Sequence, residues 1–273
     1  AVPFHNWTPD VYTGAPSPVT AFMSIATKMV AVLGLMRVMY VALGAMRWDW
    51  QLLLAVVAVA SMAVGAIVGL SQTDMKRMLA YSSIAHAGFI MVGVVGAYTL
   101  QTGQRPDQTG SVSSVLIYLA GYGLATIGFF MVILMVRKAG GESTEIDSWA
   151  GLGRRHPMLG ALIVLFMLSF AGIPATAGFT GKLFVFLAGW RGGYAWLVLL
   201  GVIFSLVAAY FYLHVIYVVF FKTPGEQAQG VEVGDPSVGG WIVLVVCALG
   251  TLILGLYPQP IIEMVNHASV FLR

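Results

Sequence analysis

The sequence predicts an all-α protein that crosses a membrane several times, and two observations support that prediction. Hydrophobic residues make up 59% of the chain and charged residues only 9%, whereas a soluble domain carries about 25% charged residues. The apolar residues also fall into separate runs that reach the length of a spanning helix, which is about 20 residues. The chain therefore lacks the polar surface that a water-soluble protein needs.

Seven apolar segments fit that length, and we expect each of them to be a spanning helix. They lie near residues 17–43, 50–70, 76–98, 112–136, 158–189, 194–221 and 239–257. A shorter segment precedes them at residues 1–12, and an amphipathic tail follows Pro258. The turn-rich stretches between the spans, two of which are long, are expected to be surface loops.

The lysine and arginine residues of the loops predict the orientation, because cytoplasmic loops carry an excess of them. One side collects Lys76, Arg77, Arg137, Lys138, Arg154, Arg155 and Lys222. The other side has Arg47, Arg105, Arg191 and Arg273, with Arg37 about two turns inside its span. We expect the first side to face the cytoplasm and the C-terminus to lie on the opposite side.

Several functions are not expected of this chain. Its net charge of +3 is too small to indicate nucleic-acid binding, and its one cysteine, Cys247, supports neither a disulfide framework nor a thiolate metal site. The glycines of "AGYGLATIG" do not match a dinucleotide fingerprint and lie within a span. Redox cofactors are therefore not expected here.

Few ionisable side chains lie inside the predicted spans, and the first is Lys28. A lysine near the bilayer centre costs about 2.5–3.5 kcal/mol on insertion scales, so such residues usually face a polar interior and mark an ion path. Thr20 and Ser24 precede Lys28 by eight and four residues, which places the three on one helical face. The alternative, a lysine that reaches the headgroups, is disfavoured by its position near the middle of the span.

His86 is the second candidate. Ser82 and Ser83 lie one turn earlier on the same side. Imidazole titrates near neutral pH and can both donate and accept a hydrogen bond, which suits a relay between two lysines. The alternative is a structural histidine that is hydrogen-bonded to a hydroxyl group.

Two further polar stripes have less specific interpretations. One consists of Tyr118, Tyr122 and Thr126, and the other of Tyr210, His214 and Tyr217. Either stripe could carry water or simply form hydrogen bonds between helices. For His214, which lies nearer a membrane surface, the structural role is favoured.

The predicted span at 158–189 contains the strongest local signal. An unbroken helix over Pro157–Gly189 would be about 50 Å long, well beyond a hydrocarbon core of roughly 30 Å. Helix-weakening residues gather near its centre, namely Gly172, Pro174, Gly178 and Gly181, and Lys182 follows them. Transporters build ion sites at such broken helices. A simple proline kink is the alternative, and four weakening residues beside a lysine argue against it.

Three motifs resemble a known family. They are "PFHNWTPDVYTGAPSPVTAF" at 3–22, "LAYSSIAHAGF" at 79–89 and "LSFAGIPATAGFTGKLFVF" at 168–186. They closely resemble the antiporter-like membrane subunits of proton-pumping NADH-quinone oxidoreductase, respiratory complex I, and among these subunit N. The similarity runs essentially from end to end.

The resemblance implies a fold of fourteen helices with two inverted five-helix repeats, of which this chain would be the C-terminal part. Residues 1–16 would be the tail of the first broken helix and a loop, 17–257 the spanning helices and 258–273 the tail, all in one membrane domain. Lys28 looks like the central lysine, His86 like the axis histidine and Lys182 like the lysine of the second broken helix. The other two antiporter-like subunits often carry an acidic residue at the position of Lys182.

The front of the chain departs from the family. The family carries a lysine just before "PFH" and a glutamate on an earlier helix, and the sequence starts at Ala1 without either. We expect an N-terminally truncated fragment that lacks the input half-channel, so that the complete subunit translocates protons and this chain alone does not.

The expected function is proton translocation through a Lys28–His86–Lys182 relay in a bacterial plasma membrane, driven by remote quinone reduction. NADH, FMN, iron–sulfur clusters and quinone would be bound by other subunits, and the partners would be neighbouring antiporter-like and small membrane subunits, lipid, water and protons. The alternatives are a subunit of a multi-subunit sodium/proton antiporter and a purely structural scaffold. The "PFHNWTPDVY" motif argues against the former, and titratable groups at mid-membrane depth argue against the latter.

Overall fold

The computed structural model describes residues 1–96 and 108–268 of the chain. Its helices are α1 (Trp7–Gly14), α2 (Ser17–Ala42), α3 (Arg47–Gly69), α4 (Met75–Val95), α5 (Gln108–Met135), α6 (Leu152–Arg155), α7 (Pro157–Ala171), α8 (Ala177–Arg191), α9 (Ala195–Phe220), α10 (Val238–Leu256) and α11 (Gln259–Ala268). Short 3₁₀ turns lie at Gly44–Met46, Ile146–Trp149 and Glu226–Ala228. Arg105 and Arg273, and the end of the predicted span at residues 97–98, lie outside the described residues.

The helical membrane fold that the sequence predicts is confirmed. Within the described residues, six helices (α2, α3, α4, α5, α9 and α10) are long and apolar enough to cross a membrane. Each coincides with a predicted span to within a few residues. The predicted span at 158–189 is two shorter helices, α7 and α8.

Helix α4 is the centre of the bundle. In its most apolar 18-residue stretch, 83% of the residues are buried, compared with 22% in α2 and in α10. Small residues let α3 and α4 approach closely, because a Cβ at Gly65 would lie 2.5 Å from the Ala85 nitrogen and one at Gly88 would lie 2.5 Å from Met62. Van der Waals packing at such small-residue crossings is a main source of helix association in lipid.

The outer faces of the bundle are apolar. Leu53, Val56, Leu206, Leu249 and Leu256 are each more than half exposed. A hydrocarbon environment accommodates such faces without cost, whereas water does not. These faces therefore suit a lipid environment.

One end of the bundle carries a small antiparallel sheet, which corrects the expectation that the two long stretches are only loops. Strand β1 (Val136–Lys138) lies between β2 (Gly141–Glu142) and β3 (Glu232–Val233). Its register pairs Arg137 with Glu142 and with Glu232. Strands this short, without an extended alternating pattern, leave little trace in a sequence.

The sheet and the 3₁₀ turn Ile146–Trp149 contact several of the basic residues that were assigned to one side. Lys76, at the start of α4, forms an ion pair with Glu142 of β2, and Lys222, after α9, pairs with Asp147 at 2.7 Å. Arg154 donates to the Lys222 carbonyl at 3.3 Å. The structure thus groups these residues at one end of the bundle, and the assignment of that end to the cytoplasm stays a prediction.

Candidate functional site

The discontinuous helix is the most irregular part of the interior. Helix α7 ends at Ala171, and α8 begins at Ala177. Gly172 has a φ of 81°, and a Cβ there would lie 2.8 Å from Cδ of Lys182, so that glycine avoids both the strain of a left-handed residue and a close contact with the lysine. The break leaves the carbonyl groups of Phe170 and Ala171 without partners from the helix itself.

Lys182 supplies the partners that these carbonyls lack. Its Nζ donates to the Phe170 oxygen, the Ala171 oxygen and Oγ of Ser205, each at 2.9 Å. An ammonium has three N–H donors, and all three are used. The C-terminal end of a helix also favours a cation, because its free carbonyls carry partial negative charge. The break thus forms a cradle for a buried amine, since Lys182 is only 5% exposed.

The break covers Gly172–Thr176 and contains Pro174, whereas Gly178 and Gly181 lie inside α8. Both of these glycines are positions of close contact. The Gly178 nitrogen donates to Oγ of Ser169 at 3.1 Å, and a Cβ at Gly181 would lie 3.0 Å from the Tyr118 Cα. They bring α8 against α7 and α5, which positions Lys182.

His86 lies on the buried helix α4, and both of its ring nitrogens have a tyrosine partner. Nδ1 is 2.6 Å from the Tyr118 hydroxyl, and Nε2 is 3.2 Å from the Tyr212 hydroxyl. The Tyr212 hydroxyl also lies 2.5 Å from Oγ of Ser82. A neutral imidazole donates from one nitrogen and accepts at the other. The two hydroxyls therefore offer a proton route into and out of the ring.

Lys28 is half-buried on α2, directly after the π-helical turn Met23–Thr27. Its Nζ donates to the Ser83 hydroxyl at 2.8 Å and to the Ser83 carbonyl at 3.1 Å, and lies 4.1 Å from the centre of the Tyr122 ring. The predicted neighbours Thr20 and Ser24 are buried, and their hydroxyls bond to backbone carbonyls of their own segment.

Aromatic rings occupy the space between these three side chains. The Tyr122 ring contacts Lys28 and lies 4.6 Å, between centroids, from His86. The Phe170 ring lies 6.0 Å from His86, while its carbonyl accepts from Lys182. Lys28, His86 and Lys182 thus lie along one interior. Among the described residues, no hydrogen bond joins any two of the three directly.

The two tyrosine stripes lie in different environments. Tyr118, Tyr122 and Thr126 are buried, and the first two contact the candidate residues. Tyr210 and Tyr217 are more than half exposed, and His214 is exposed between them on the outer surface of α9. The structure thus places the second stripe on the outer face of α9, away from Lys28, His86 and Lys182.

Ser205 and Tyr212 are functional candidates that the sequence reasoning missed. Both are on α9, seven residues apart, so they share the inward face of that helix. The polar residues at 210, 214 and 217 drew attention to the opposite face. The seven-residue spacing of Ser205 and Tyr212, which places both on one face of the helix, is the signal that could have found the inward pair.

The fold and the site define the class of protein. It is a polytopic helical membrane protein with a discontinuous helix and buried ionisable side chains, an arrangement that transporters use for ion sites. The chain belongs to the NADH:quinone oxidoreductase/Mrp antiporter transmembrane family, whose model matches residues 1–208.

Individual relatives indicate which member of the family the chain resembles. The chain is 71% identical, over all 273 residues, to NADH-quinone oxidoreductase subunit N of Cutibacterium acnes, and it covers 51% of that protein. It is 50% identical over 273 residues to NADH-quinone oxidoreductase subunit N 3 of Streptomyces griseus, of which it covers 47%. The chain thus spans about half the length of these relatives. The resemblance to subunit N that the motifs predict is confirmed.

Solved structures share the fold. A chain of respiratory complex I from Thermus thermophilus with bound aureothin superposes with a TM-score of 0.78 at 32% identity, over 96% of this chain and 54% of that one. A chain of the Mrp complex from Dietzia sp. has a TM-score of 0.82 at 19% identity, over 99% of this chain and 56% of that one, which shows a common fold alone. With bacterial relatives, an antiporter-like family and several apolar helices, the protein is a multi-pass protein of a bacterial plasma membrane.

Proposed function

We propose that the chain is part of subunit N in the membrane arm of a proton-translocating NADH-quinone oxidoreductase. The 71% identity to a subunit N over the full chain supports this assignment, as does the 32% identity to a complex I chain of the same fold. NADH, FMN, iron–sulfur clusters and quinone are then bound by other subunits, and the neighbouring membrane subunits of the complex are its partners. The Mrp-type antiporter is not favoured, because the identity to the Mrp chain is 19%, compared with 71% to a subunit N.

Within that assignment, Lys28, His86 and Lys182 form a proton relay. The observation that carries this proposal is the position of His86, which has a tyrosine hydroxyl on each ring nitrogen and lies between two amines inside the bundle. Such a ring can accept a proton at one nitrogen and release one from the other. Lys28 is the central carrier, His86 the bridge and Lys182 the group that passes protons towards the exit.

Electrostatic repulsion couples the three groups to chemistry at a distance. Like charges disfavour one another, so a proton that arrives at one group promotes release from its neighbour. In a low-dielectric interior this repulsion acts over longer distances than in water. Quinone reduction elsewhere in the complex would change the charge at one end of the row and start the transfer.

The Lys182→Ala variant of the full-length subunit, in the intact complex, tests the relay. We expect a several-fold loss of protons pumped per NADH oxidised, because the cradle at the break is left without its amine. The measurement is the proton gradient that NADH oxidation builds in membrane vesicles. Lys138→Ala is the matched control, because Lys138 lies in strand β1 of the sheet at one end of the bundle. Equal pumping by the two variants at equal assembly would refute the relay.

A further inference from the structure

Phe170 lies between His86 and Lys182 and touches both. Its ring centroid is 6.0 Å from that of His86 and 5.6 Å from that of Tyr212, against which it stacks. Its carbonyl oxygen accepts a hydrogen bond from Nζ of Lys182 at 2.9 Å. Phe170 is only 2% exposed. One residue thus faces the histidine with its ring and the lysine with its backbone.

The two sides of Phe170 have separate sets of hydrogen bonds. The histidine set consists of His86, Tyr118 and Tyr212, and in it both imidazole nitrogens are engaged. In the lysine set, all three donors of Lys182 are used by Ser205 and the two carbonyls of the helix end. Within the part of the chain that the structure describes, no hydrogen bond links one set to the other. The protein groups alone therefore give no continuous hydrogen-bonded path from one set to the other.

A small cavity lies at this point. Its volume is about 10 Å³, and His86, Tyr118, Ser169 and the Phe170 ring are among the groups that line it. A cavity needs about 10–15 Å³ to hold one water molecule. The cavity is thus at the lower limit for one water and lies on the histidine side of the Phe170 ring, since neither Lys182 nor Ser205 lines it. Displacement of that ring would enlarge it.

We propose that Phe170 is a gate residue that separates the histidine set from the lysine set, and that displacement of its ring admits the water that joins them. This inference rests on the proposed relay. Phe170 lies in the last turn of α7, two residues before Gly172 with its φ of 81°, so a change in backbone conformation at the break would displace its ring. Aromatic rings offer no donor or acceptor in their plane, so the closed ring blocks transfer.

Lys182 can control the gate through the Phe170 carbonyl. A protonated amine forms a charge-assisted hydrogen bond, which is about twice as strong as a neutral one. When Lys182 has lost its proton, its hold on the helix end weakens and the ring is freer to turn. The empty lysine then favours connection to the histidine set, and the loaded lysine favours closure, which prevents the proton from returning.

The test uses the intact complex with the full-length subunit in sealed vesicles. In Phe170→Ala we expect fewer protons pumped per NADH oxidised, with the oxidation rate retained, and a several-fold faster decay of an imposed pH difference when the enzyme is idle. The matched control is Phe166→Ala, because Phe166 is fully buried one turn earlier on the same helix and packs on Gly128 of α5. Phe166→Ala should keep the wild-type decay rate.

Further variants distinguish the gate from the relay. Phe170→Leu keeps most of the apolar volume and should give a smaller increase in decay rate, measured against Phe166→Leu, if the alanine variant does not assemble. Adding Lys182→Ala to the Phe170 variant should remove the extra leak. Decay rates that match those of the Phe166 variants would overturn the gate. If Lys182→Ala alone leaves pumping unchanged, the relay itself fails, which is a separate result.

Discussion

The two buried lysines show two different ways of placing an amine inside a membrane protein. Lys182 is 5% exposed and lies at a broken helix, where two backbone carbonyls and the Ser205 hydroxyl accept all its donors. Lys28 lies on a helix that continues through its span, half-buried, with one backbone carbonyl, the Ser83 hydroxyl and the face of a tyrosine ring as its partners.

The difference follows from what each helix can offer. An intact helix uses its carbonyls internally, so an amine on it must find acceptors on other helices. A broken helix frees carbonyls at its end and adds the favourable field of its C-terminus. The break therefore supports deep burial, whereas the continuous helix of Lys28 has only π-helical turns as irregularities. We expect Lys182 to depend on local backbone geometry and Lys28 to depend on neighbouring side chains.

Gly172→Ala should have the largest effect, because it acts on the backbone of the break. A left-handed conformation costs a residue with a Cβ about 1–2 kcal/mol, and the new Cβ would lie 2.8 Å from Cδ of Lys182. Overpacking of that kind typically adds about 1–3 kcal/mol. We expect lower thermal stability of the purified complex and several-fold weaker pumping.

Gly230→Ala is the control for the backbone cost alone. Gly230 has a φ of 68°, with open space where a Cβ would be. Gly230→Ala should lose only the free energy that the left-handed conformation costs a residue with a Cβ, and the complex should pump protons as the wild type does. If the Gly172 and Gly230 variants behave alike, the contact with Lys182 contributes nothing and the comparison of the two lysines loses its basis.

Ser205→Ala and Ser83→Ala compare the two lysines directly. Removing Ser205 leaves a buried ammonium with two acceptors for three donors, and a hydrogen bond to a charged group contributes about 1.5–3 kcal/mol. Removing the Ser83 hydroxyl leaves Lys28 its bond to the Ser83 carbonyl and its contact with Tyr122. Lys182 then keeps two backbone acceptors and Lys28 only one, so thermal stability of the complex and pumping per NADH should both fall more in Ser83→Ala. The reverse order would show that Lys182 is the site that depends more on its side-chain partner.

The sequence predicts the break better than it predicts the cradle. Clustered glycines, a proline and an excess of length indicate an interruption near Pro174, and the structure ends α7 three residues before it. Ser205 contacts Lys182 only because α9 packs beside α8, and that packing is a tertiary property that no local pattern contains. The same holds for Tyr212 and His86.

The polar stripe around Lys28 shows a second limit of prediction from the sequence. Periodicity placed Thr20 and Ser24 on the same face as Lys28, and both are buried. Their hydroxyls nevertheless bond to carbonyls three to five residues earlier, as serine and threonine often do within helices. The partner of Lys28 is Ser83, which the sequence singled out as a neighbour of His86. Spacing predicts which face a residue occupies, and the hydrogen-bond partner depends on the neighbouring helix.

Glu142→Gln should have the smallest effect, because it acts on the Lys28 helix from outside the membrane. Glu142 accepts hydrogen bonds from the nitrogen and hydroxyl of Ser17, the first residue of α2, and pairs with Lys76. Burial works to raise the pKa of the Glu142 carboxyl, but the hydrogen bonds from Lys76 and Ser17 outweigh it and hold the pKa below its ordinary value of 4.5. A glutamine keeps one acceptor oxygen and has a donor NH2 in place of the other, so it retains only part of these bonds, and the loss should be about 1 kcal/mol.

The sign of the pH dependence follows from that lowered pKa. The carboxylate contributes stability that is present above about pH 4.5 and is lost as the pH falls through the lower pKa of the folded state. Wild type should therefore exceed Glu142→Gln in thermal stability at pH 7, and the gap should close below pH 4.5. Glu232→Gln, at an exposed position of the same sheet, is the control. A gap that persists in acid would mean that the carboxylate charge does not anchor α2, and the Lys28 helix would then depend on its interior contacts alone.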